Sequence, residues 1–554
     1  MKMQIASHAM PSDPAATDSP RSLNERQLER LTIVILFLAC LAYLWVFRRF
    51  TSLEPDEGIV LQGASRILDG QIPYRDFFSF YTPGSFYLVA ALFRLFGNSF
   101  LIARSSLAVA GAACSVVTYL LCRRTCSRWI SLLAAVLATM TGAAFRFLVL
   151  HNCYSTLVAC VAVYAAVRSV ETRSSRWVFA MSSLTAITFL FEQSKGGGLA
   201  LGLVLGFALL GKRAFTSVSW WVAIGAGLTW PFLLTFGYFA GHGTARAMVQ
   251  GWLWPLRHYT AANHVAYGWQ NWSDHTREVI FKTGPMAARV AKTIAVSPGF
   301  VIPVLPLVAC LFLIYWAVKM RQRKEDSWQA RYYIITGSAL SGLLLSVLMV
   351  RTDILHFIYL VPMWYVVLGW VLGAPIESQL LVRIRPALIL YVAIAFGMLG
   401  LAVLLATTGA HDKIQARRGQ ITTGEIDSVV TYLQKQTKPG DELLVYPYLP
   451  LYNYLTSTRS PSRYDFFQPG MNTRKQAEEL IHSIDSRHAN AVLIEPSFGE
   501  KFANTWPETP LSAVVNDPVG DYVLRNFRAC KLLHSPEQWR FAYMVRKDAA
   551  CPDP

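Results

Sequence analysis

Three charged clusters in this sequence combine residue types that move protons or hold phosphate. The first, Glu54-Pro55-Asp56-Glu57-Gly58, sets carboxylates at the edge of an apolar segment. A carboxylate in that place can take the proton of an acceptor hydroxyl, the work of a general base. It can also do no more than cap a helix, with Asp56 accepting backbone N–H bonds at the start of 57–69 and Glu57 favouring the helix dipole. The second, Phe191-Glu192-Gln193-Ser194-Lys195-Gly196-Gly197-Gly198, puts a cation beside consecutive glycines where one apolar helix ends and another begins. Helix starts with bare backbone bind phosphate, and lysine supplies a point charge. A plain loop with a snorkelling lysine is the other reading. In the third, Arg351-Thr352-Asp353-Ile354-Leu355-His356, both Arg351 and His356 can face a lipid phosphate while Asp353 orients one of them. A surface ion pair competes with that reading.

Two further groups are less specific. Trp252, Trp254, Tyr259, Tyr267, Trp269 and Trp272, with Arg257, His258 and His264, crowd one polar segment. They suit an interfacial aromatic belt, or a platform that stacks sugar rings or grips a prenyl chain. His151-Asn152 is a lone histidine at a helix edge, a place more often structural.

These clusters need elements to hold them, and the composition says which. The chain has 554 residues, 53% of them hydrophobic and 15% charged. Stretches nearly free of charge recur at 31–46, 131–144, 199–210 and 387–406, each approaching with its flanks the ~20 apolar residues that cross a ~30 Å hydrocarbon core. Repeated this often, they predict a polytopic α-helical membrane protein. The net charge of +17 suggests nucleic acid only until its placement is read. The basic residues fall in short connections: Lys2, Arg21, Arg26 and Arg30; Arg123, Arg124 and Arg128; Arg168, Arg173 and Arg176; Lys212 and Arg213; Lys319, Arg321, Arg323, Lys324 and Arg331; Arg383 and Arg385. With about eleven transmembrane helices and a cytoplasmic N-terminus, every one of these lies inside, as the positive-inside rule requires. Moving one helix sends the most basic connection outside. No recognition helix or aromatic–basic RNA platform accompanies the charge, so nucleic acid is no partner. The 9 cysteines contain no CxxC pair, and the polar first thirty residues lead into no cleavable signal peptide.

That arrangement gives a cytoplasmic segment at 1–30 and a transmembrane domain at 31–407 with outer loops at 48–99 and 241–297. A small α/β domain at 408–554 follows, on the outer face. In the tail, 426–436 is amphipathic, 442–446 is a short apolar run, 477–484 reads as a helix and 491–494 as a buried strand. Cys530 and Cys551 lie there, in a compartment that tolerates disulfides, either bridged or free. The three charged clusters all fall on the outer side.

The order of pieces in the first outer loop resembles a known group. Asp56-Glu57-Gly58, Ile67-Leu68-Asp69-Gly70, Pro73-Tyr74-Arg75-Asp76, Tyr81-Thr82-Pro83-Gly84 and Phe93-Arg94-Leu95-Phe96-Gly97 are similar to that loop in bacterial GT-C fold glycosyltransferases, relatives of protein O-mannosyltransferases and lipid A aminoarabinose transferases. Arg351-x-Asp353-x-x-His356 with Pro362 resembles a late motif of the group, and Pro439-Gly440-Asp441 with Leu451-Tyr452 its periplasmic domain. Glu192 stands where the group's Lys-Gln-x-x-Gly turn has lysine, and Lys195 comes three residues later. The resemblance implies an enzyme of the inner membrane that takes a sugar from a polyprenyl phosphate donor. It delivers that sugar to a cell-envelope glycan, lipid or protein acceptor in the periplasm, by inverting displacement. It makes Asp56 the base with Glu57 beside it, Lys195, Arg351 and His356 the phosphate contacts, and Arg75, Asp76, Tyr81 and Asp353 the substrate contacts. Some members use a divalent metal; no clear ligand set stands here, and none is assigned. A transporter or lipid flippase is the alternative, though no internal repeat supports one.

Overall fold

In the computed structural model the described residues are 23–211, 217–258, 265–323, 327–374, 379–409, 412–468, 470–496, 516–536 and 539–552, with 498 and 512. Lys2, Arg21, Lys212, Arg213, Lys324, Tyr259 and His264 lie outside them.

The chain begins with the apolar helix α1 (Leu23–Trp45). Two shorter helices follow at one end of the bundle, α2 (Pro55–Leu68) and α3 (Gly84–Phe96). The bundle continues through α4 (Phe100–Cys122), α5 (Arg128–Ala138), α6 (His151–Thr172), α7 (Ser175–Phe191), α8 (Gln193–Leu210) and α9 (Val218–Gly241). The segment expected as a long outer loop carries the helices α10 (Ala245–His258), α11 (Asp274–Phe281), α12 (Met286–Val296) and α13 (Pro298–Val301). The last members are α14 (Val304–Arg323), α15 (Trp328–Val350), α16 (Ile354–Tyr359), α17 (Val361–Gly373) and α18 (Gln379–Thr408).

Among the described residues, eight helices are long and apolar enough to cross a membrane: α1, α4, α6, α8, α9, α14, α15 and α18. The other three of the expected eleven, at 128–143, 175–191 and 361–373, are apolar helices of 10–17 residues. At 1.5 Å per residue these reach ~20–26 Å against a ~30 Å core, so they stand as short members beside the eight full-length spans. Large apolar side chains stay exposed along the outer helices, among them Leu233 and Leu234 on α9, Leu307 and Leu311 on α14, and Leu390 on α18. Such stripes face lipid in a multi-pass integral membrane protein.

Helix α8 is pressed against α15 through Gly198, Gly202 and Gly206. A Cβ at Gly202 would come within 2.3 Å of the Ser338 carbonyl oxygen, and one at Gly198 within 2.3 Å of that of Gly342. With no hydrophobic force between helices in lipid, small residues at four-residue spacing let backbones approach closely. This contact fixes the start of α8, which carries the Glu192 turn, against α15, which ends at Arg351.

The tail forms an α/β domain. A hairpin of β1 (Asp412–Ala416) and β2 (Gly419–Thr423) precedes α19 (Val429–Gln436), β3 (Leu444–Tyr446), α20 (Leu451–Thr456), α21 (Arg474–Ser486) and β4 (Ala491–Ile494). Helix α22 (Pro518–Asn526) and the strands β5 (Phe527–Ser535) and β6 (Trp539–Arg546) complete it. The sheet order is β3-β4-β6-β5, with β3 and β4 parallel and the other neighbours antiparallel. Strand β4 is buried throughout, as its unbroken apolar run requires. Helix α21 starts with a capping box between Thr473 and Gln476. Cys530 and Cys551 form a disulfide, so the bridged reading holds. This domain docks on α2, where a Cβ at Gly58 would stand 2.2 Å from the Leu451 backbone nitrogen. Arg66 adds an ion pair to Asp465 at 2.8 Å. The helix that begins beside Asp56 is therefore clamped by the soluble domain.

Candidate active site

A cavity of about 920 Å³ lies where the ends of these helices meet the α/β domain. Its polar wall carries Asp56 from the first turn of α2, Arg146 from the segment after α5, Glu192 to Ser194 between α7 and α8, and Arg351, Asp353, His356 and Tyr359 around α16. Its apolar wall is built by spanning helices, with Leu201 on α8, Leu345 and Met349 on α15, and Leu399 on α18. Tyr448, Phe466 and Gln468 reach it from the α/β domain. Clusters far apart in the sequence thus share one chamber with a polar head and a greasy flank.

Asp56 follows Pro55, which occupies the first position of α2, while Glu54 stands at the N-cap with no side-chain cap bond. Among the described residues Asp56 makes neither a hydrogen bond nor an ion pair, so the cap reading has no bond behind it. Burial and the neighbouring charge of Glu54 raise its carboxyl above the ordinary value, against the pull of Arg146, His356 and Arg351. A carboxylate left without donors and facing a cavity is poised to accept a proton.

The third cluster is tightly built. Asp353 caps α16, accepting from the His356 backbone N–H at 3.0 Å. Its Oδ1 lies 2.6 Å from His356 Nδ1, and its Oδ2 lies 2.7 Å from Arg351 Nε. Burial acts to raise the Asp353 carboxyl, but His356 and Arg351 outweigh it and hold it down at about 2. Asp353 therefore orients both cations, where the sequence reading gave it one. With Nδ1 engaged, the imidazole keeps Nε2 for the cavity. The Arg351 guanidinium lies 5.5 Å from the centre of the Trp269 ring, and its Nη2, buried, has no hydrogen-bond partner among the described residues. The surface-pair reading does not survive, because Arg351 and Asp353 are both buried.

Four candidates are not brought to this chamber. Glu57 points the other way, fully buried, gripped at both carboxylate oxygens by Arg104 and accepting from the Val149 N–H at 3.0 Å. One helical step from Asp56 is about 100° of rotation, which turns consecutive side chains to different faces. Lys195 is also buried, with Nζ 2.8 Å from Glu192 and 2.8 Å from Ser155 Oγ and further bonds to Thr156 and the Asn152 carbonyl. Its donors are taken, and the cavity there meets Glu192 instead. Arg75 and Asp76 pair with each other at 2.8 Å away from the chamber. Tyr81 does line it, its ring centre 4.1 Å from that of His151. The aromatic segment is no simple belt: Trp252 and Trp272 line the chamber, and Trp254 stacks on Phe80, 5.2 Å between ring centres.

The sequence reading missed Arg146 and Tyr359. Arg146 pairs with Glu54, and its Nε and Nη2 approach the Tyr359 hydroxyl at 3.4 and 3.3 Å. The available signal was a lone charge in Phe145-Arg146-Phe147 at the outer end of an apolar helix. A resident divalent metal does not fit these residues. Asp353, Glu54 and Glu192 are each held by a cation. No three His, Cys, Asp or Glu side chains converge to hold an ion among the described residues.

Residues 81–235 match the family model for dolichyl-phosphate-mannose-protein mannosyltransferase. ArnT from Cupriavidus metallidurans bound to undecaprenyl phosphate is similar in fold, with a TM-score of 0.50 at 14% identity, covering 94% of this chain and 99% of that one. The apo form of that ArnT gives 0.49 at 13% identity over 92% and 97%. The archaeal oligosaccharyltransferase AglB from Archaeoglobus fulgidus, in complex with an inhibitory peptide and a dolichol-phosphate, gives 0.48 at 11% over 96% and 75%. No curated protein sequence matches the chain. The chain thus has an ArnT-like fold, with the mannosyltransferase family match over residues 81–235.

Proposed function

We propose that this enzyme moves a sugar from a polyprenyl phosphate donor to a hydroxyl of a periplasmic or lipid-linked acceptor, with Asp56 as base. The observation that carries the reading is the unpaired Asp56 carboxylate on the same cavity wall as Arg351 and His356. Asp56 takes the acceptor proton as the acceptor oxygen bonds to the anomeric carbon. The bond from that carbon to the phosphate oxygen breaks, and the electron pair stays on the phosphate. One displacement inverts the anomeric configuration. Arg351 and His356, held by Asp353, neutralise the charge gathering on the leaving phosphate. The apolar wall suits a prenyl chain, and ArnT, which is similar in fold, is bound to undecaprenyl phosphate in its crystal structure. Tyr81 and the Glu192 turn border the space for the sugar. Lys195, Arg75 and Asp76 are given no phosphate or sugar contact in this reading, because their side chains are paired outside the cavity.

Arg351→Ala should raise the KM for a polyprenyl-phosphate-linked sugar about tenfold to a hundredfold, the scale of a lost charge-assisted hydrogen bond. Arg351→Lys should recover part of it, since the charge returns without the fork. Unchanged donor KM in both variants would remove Arg351 from the phosphate site. For orientation, the basic connections and the Cys530–Cys551 disulfide support a periplasmic site face and α/β domain. A reporter fused after Arg124 should read cytoplasmic and one after Asp412 periplasmic; the reverse pattern would put the site on the wrong side.

A further inference from the structure

The reaction proposed above, on which this inference rests, moves one negative charge across the cavity. Asp56 begins as a carboxylate and ends protonated; the phosphate begins as a diester with one charge and ends as a monoester with two. A cation placed near the base must therefore lose one partner just as the phosphate gains a charge. Arg146 is in that position. Its guanidinium is on the cavity wall with Asp56, and among the cations around that carboxyl it exerts the strongest pull. Its partners in the resting site are one counter-ion and one weak acceptor, which leave donors over. Glu54 meets one nitrogen, and the neutral Tyr359 hydroxyl is shared by two others at 3.3 and 3.4 Å, near the limit of a hydrogen bond. Arginine carries five donors, so capacity remains for a phosphate oxygen. Arg351 and His356, by contrast, share the single carboxylate Asp353 and are locked in place by it.

We propose that Arg146 is a catalytic residue that contacts the leaving phosphate, following the charge that passes from Asp56 to the lipid phosphate. Glu54 is then its resident counter-ion and competes with the phosphate for it. Arg351 and His356 recognise the phosphate in both states, whereas Arg146 favours the product state.

The test uses the full-length enzyme in lipid nanodiscs and two sugar-free probes at pH 8: undecaprenyl phosphate, a monoester carrying close to two charges, and its methyl ester, a diester carrying one. Arg146→Gln should weaken monoester binding about tenfold or more while changing diester binding less than about twofold. Arg146→Lys should keep most of the monoester preference. Glu54→Gln should move the other way and tighten monoester binding several-fold, which keeps the proposal open to refutation should Arg146→Gln fail to fold. Equal losses for both probes, no loss for either, or a Glu54→Gln variant with unchanged monoester affinity would overturn it. A wild-type enzyme that binds neither probe would instead refute the donor assignment itself.

Discussion

Asp56→Asn should lower turnover by about 10²- to 10⁴-fold, the usual scale for loss of a general base, with the unfolding temperature near that of wild type. The amide keeps the shape of the carboxylate but cannot take a proton at neutral pH. Stability has little reason to move, because Asp56 makes no hydrogen bond or ion pair among the described residues and caps nothing. Asp56→Ala should therefore be as quiet in thermal unfolding as Asp56→Asn. A lost cap would instead cost about 1 kcal/mol on substitution by Ala. Turnover of a polyprenyl-phosphate-linked sugar and unfolding in detergent, measured on both variants, separate the two roles. Full activity in Asp56→Asn would take the residue out of the chemistry.

The neighbouring carboxylate should behave in the opposite way. Glu57→Gln leaves the Arg104 guanidinium buried without its counter-charge, and breaking a buried pair from one side costs about 3–5 kcal/mol. Arg104 is 1% exposed and Glu57 fully buried, so water cannot compensate. The loss should show as poor expression and a lower unfolding temperature, while the protein that does fold keeps donor affinity. Removing both charges with Glu57→Leu and Arg104→Met should recover part of the stability, since apolar replacements of a buried pair are often tolerated. The recovery stays incomplete because the Val149 N–H loses its acceptor. A Glu57→Gln enzyme that folds normally but fails to turn over would return Glu57 to the active site.

What the sequence allowed to be read follows physical lines. The membrane helices were legible because apolarity and basic connections are local signals, and 491–494 was legible because an apolar run bounded by turns leaves little choice. Strands β5 and β6 were missed: they alternate burial with many polar positions, and their pairing is set by partners distant in the chain. At the site, the order of motifs singled out Asp56, Arg351, Asp353 and His356, and the fold brings all four to one cavity wall. It also singled out Glu57 and Lys195, which the fold turns away from that cavity, since residue type and nearness in sequence do not say which face of a helix turns inward. Each has a burial partner on another element, Arg104 on α4 and Ser155 on α6. Arg146 offered only the signal of a lone charge at the end of an apolar helix, and only the packed bundle puts it and Tyr359 on the cavity wall with Asp56.

The most direct test of the mechanism is the pH dependence of kcat/KM for wild type and Asp56→Asn with the same lipid-linked sugar. A base must be unprotonated to act, and burial with Glu54 alongside raises the Asp56 carboxyl above its ordinary value. Wild-type activity should therefore fall as pH drops through a value displaced upward from the usual carboxylate range, near 4. Charge on His356 or the phosphate cannot mimic this if the limb belongs to Asp56, because the residual Asp56→Asn rate should then lack it. An acid limb of the same position in both enzymes would contradict Asp56 as the base.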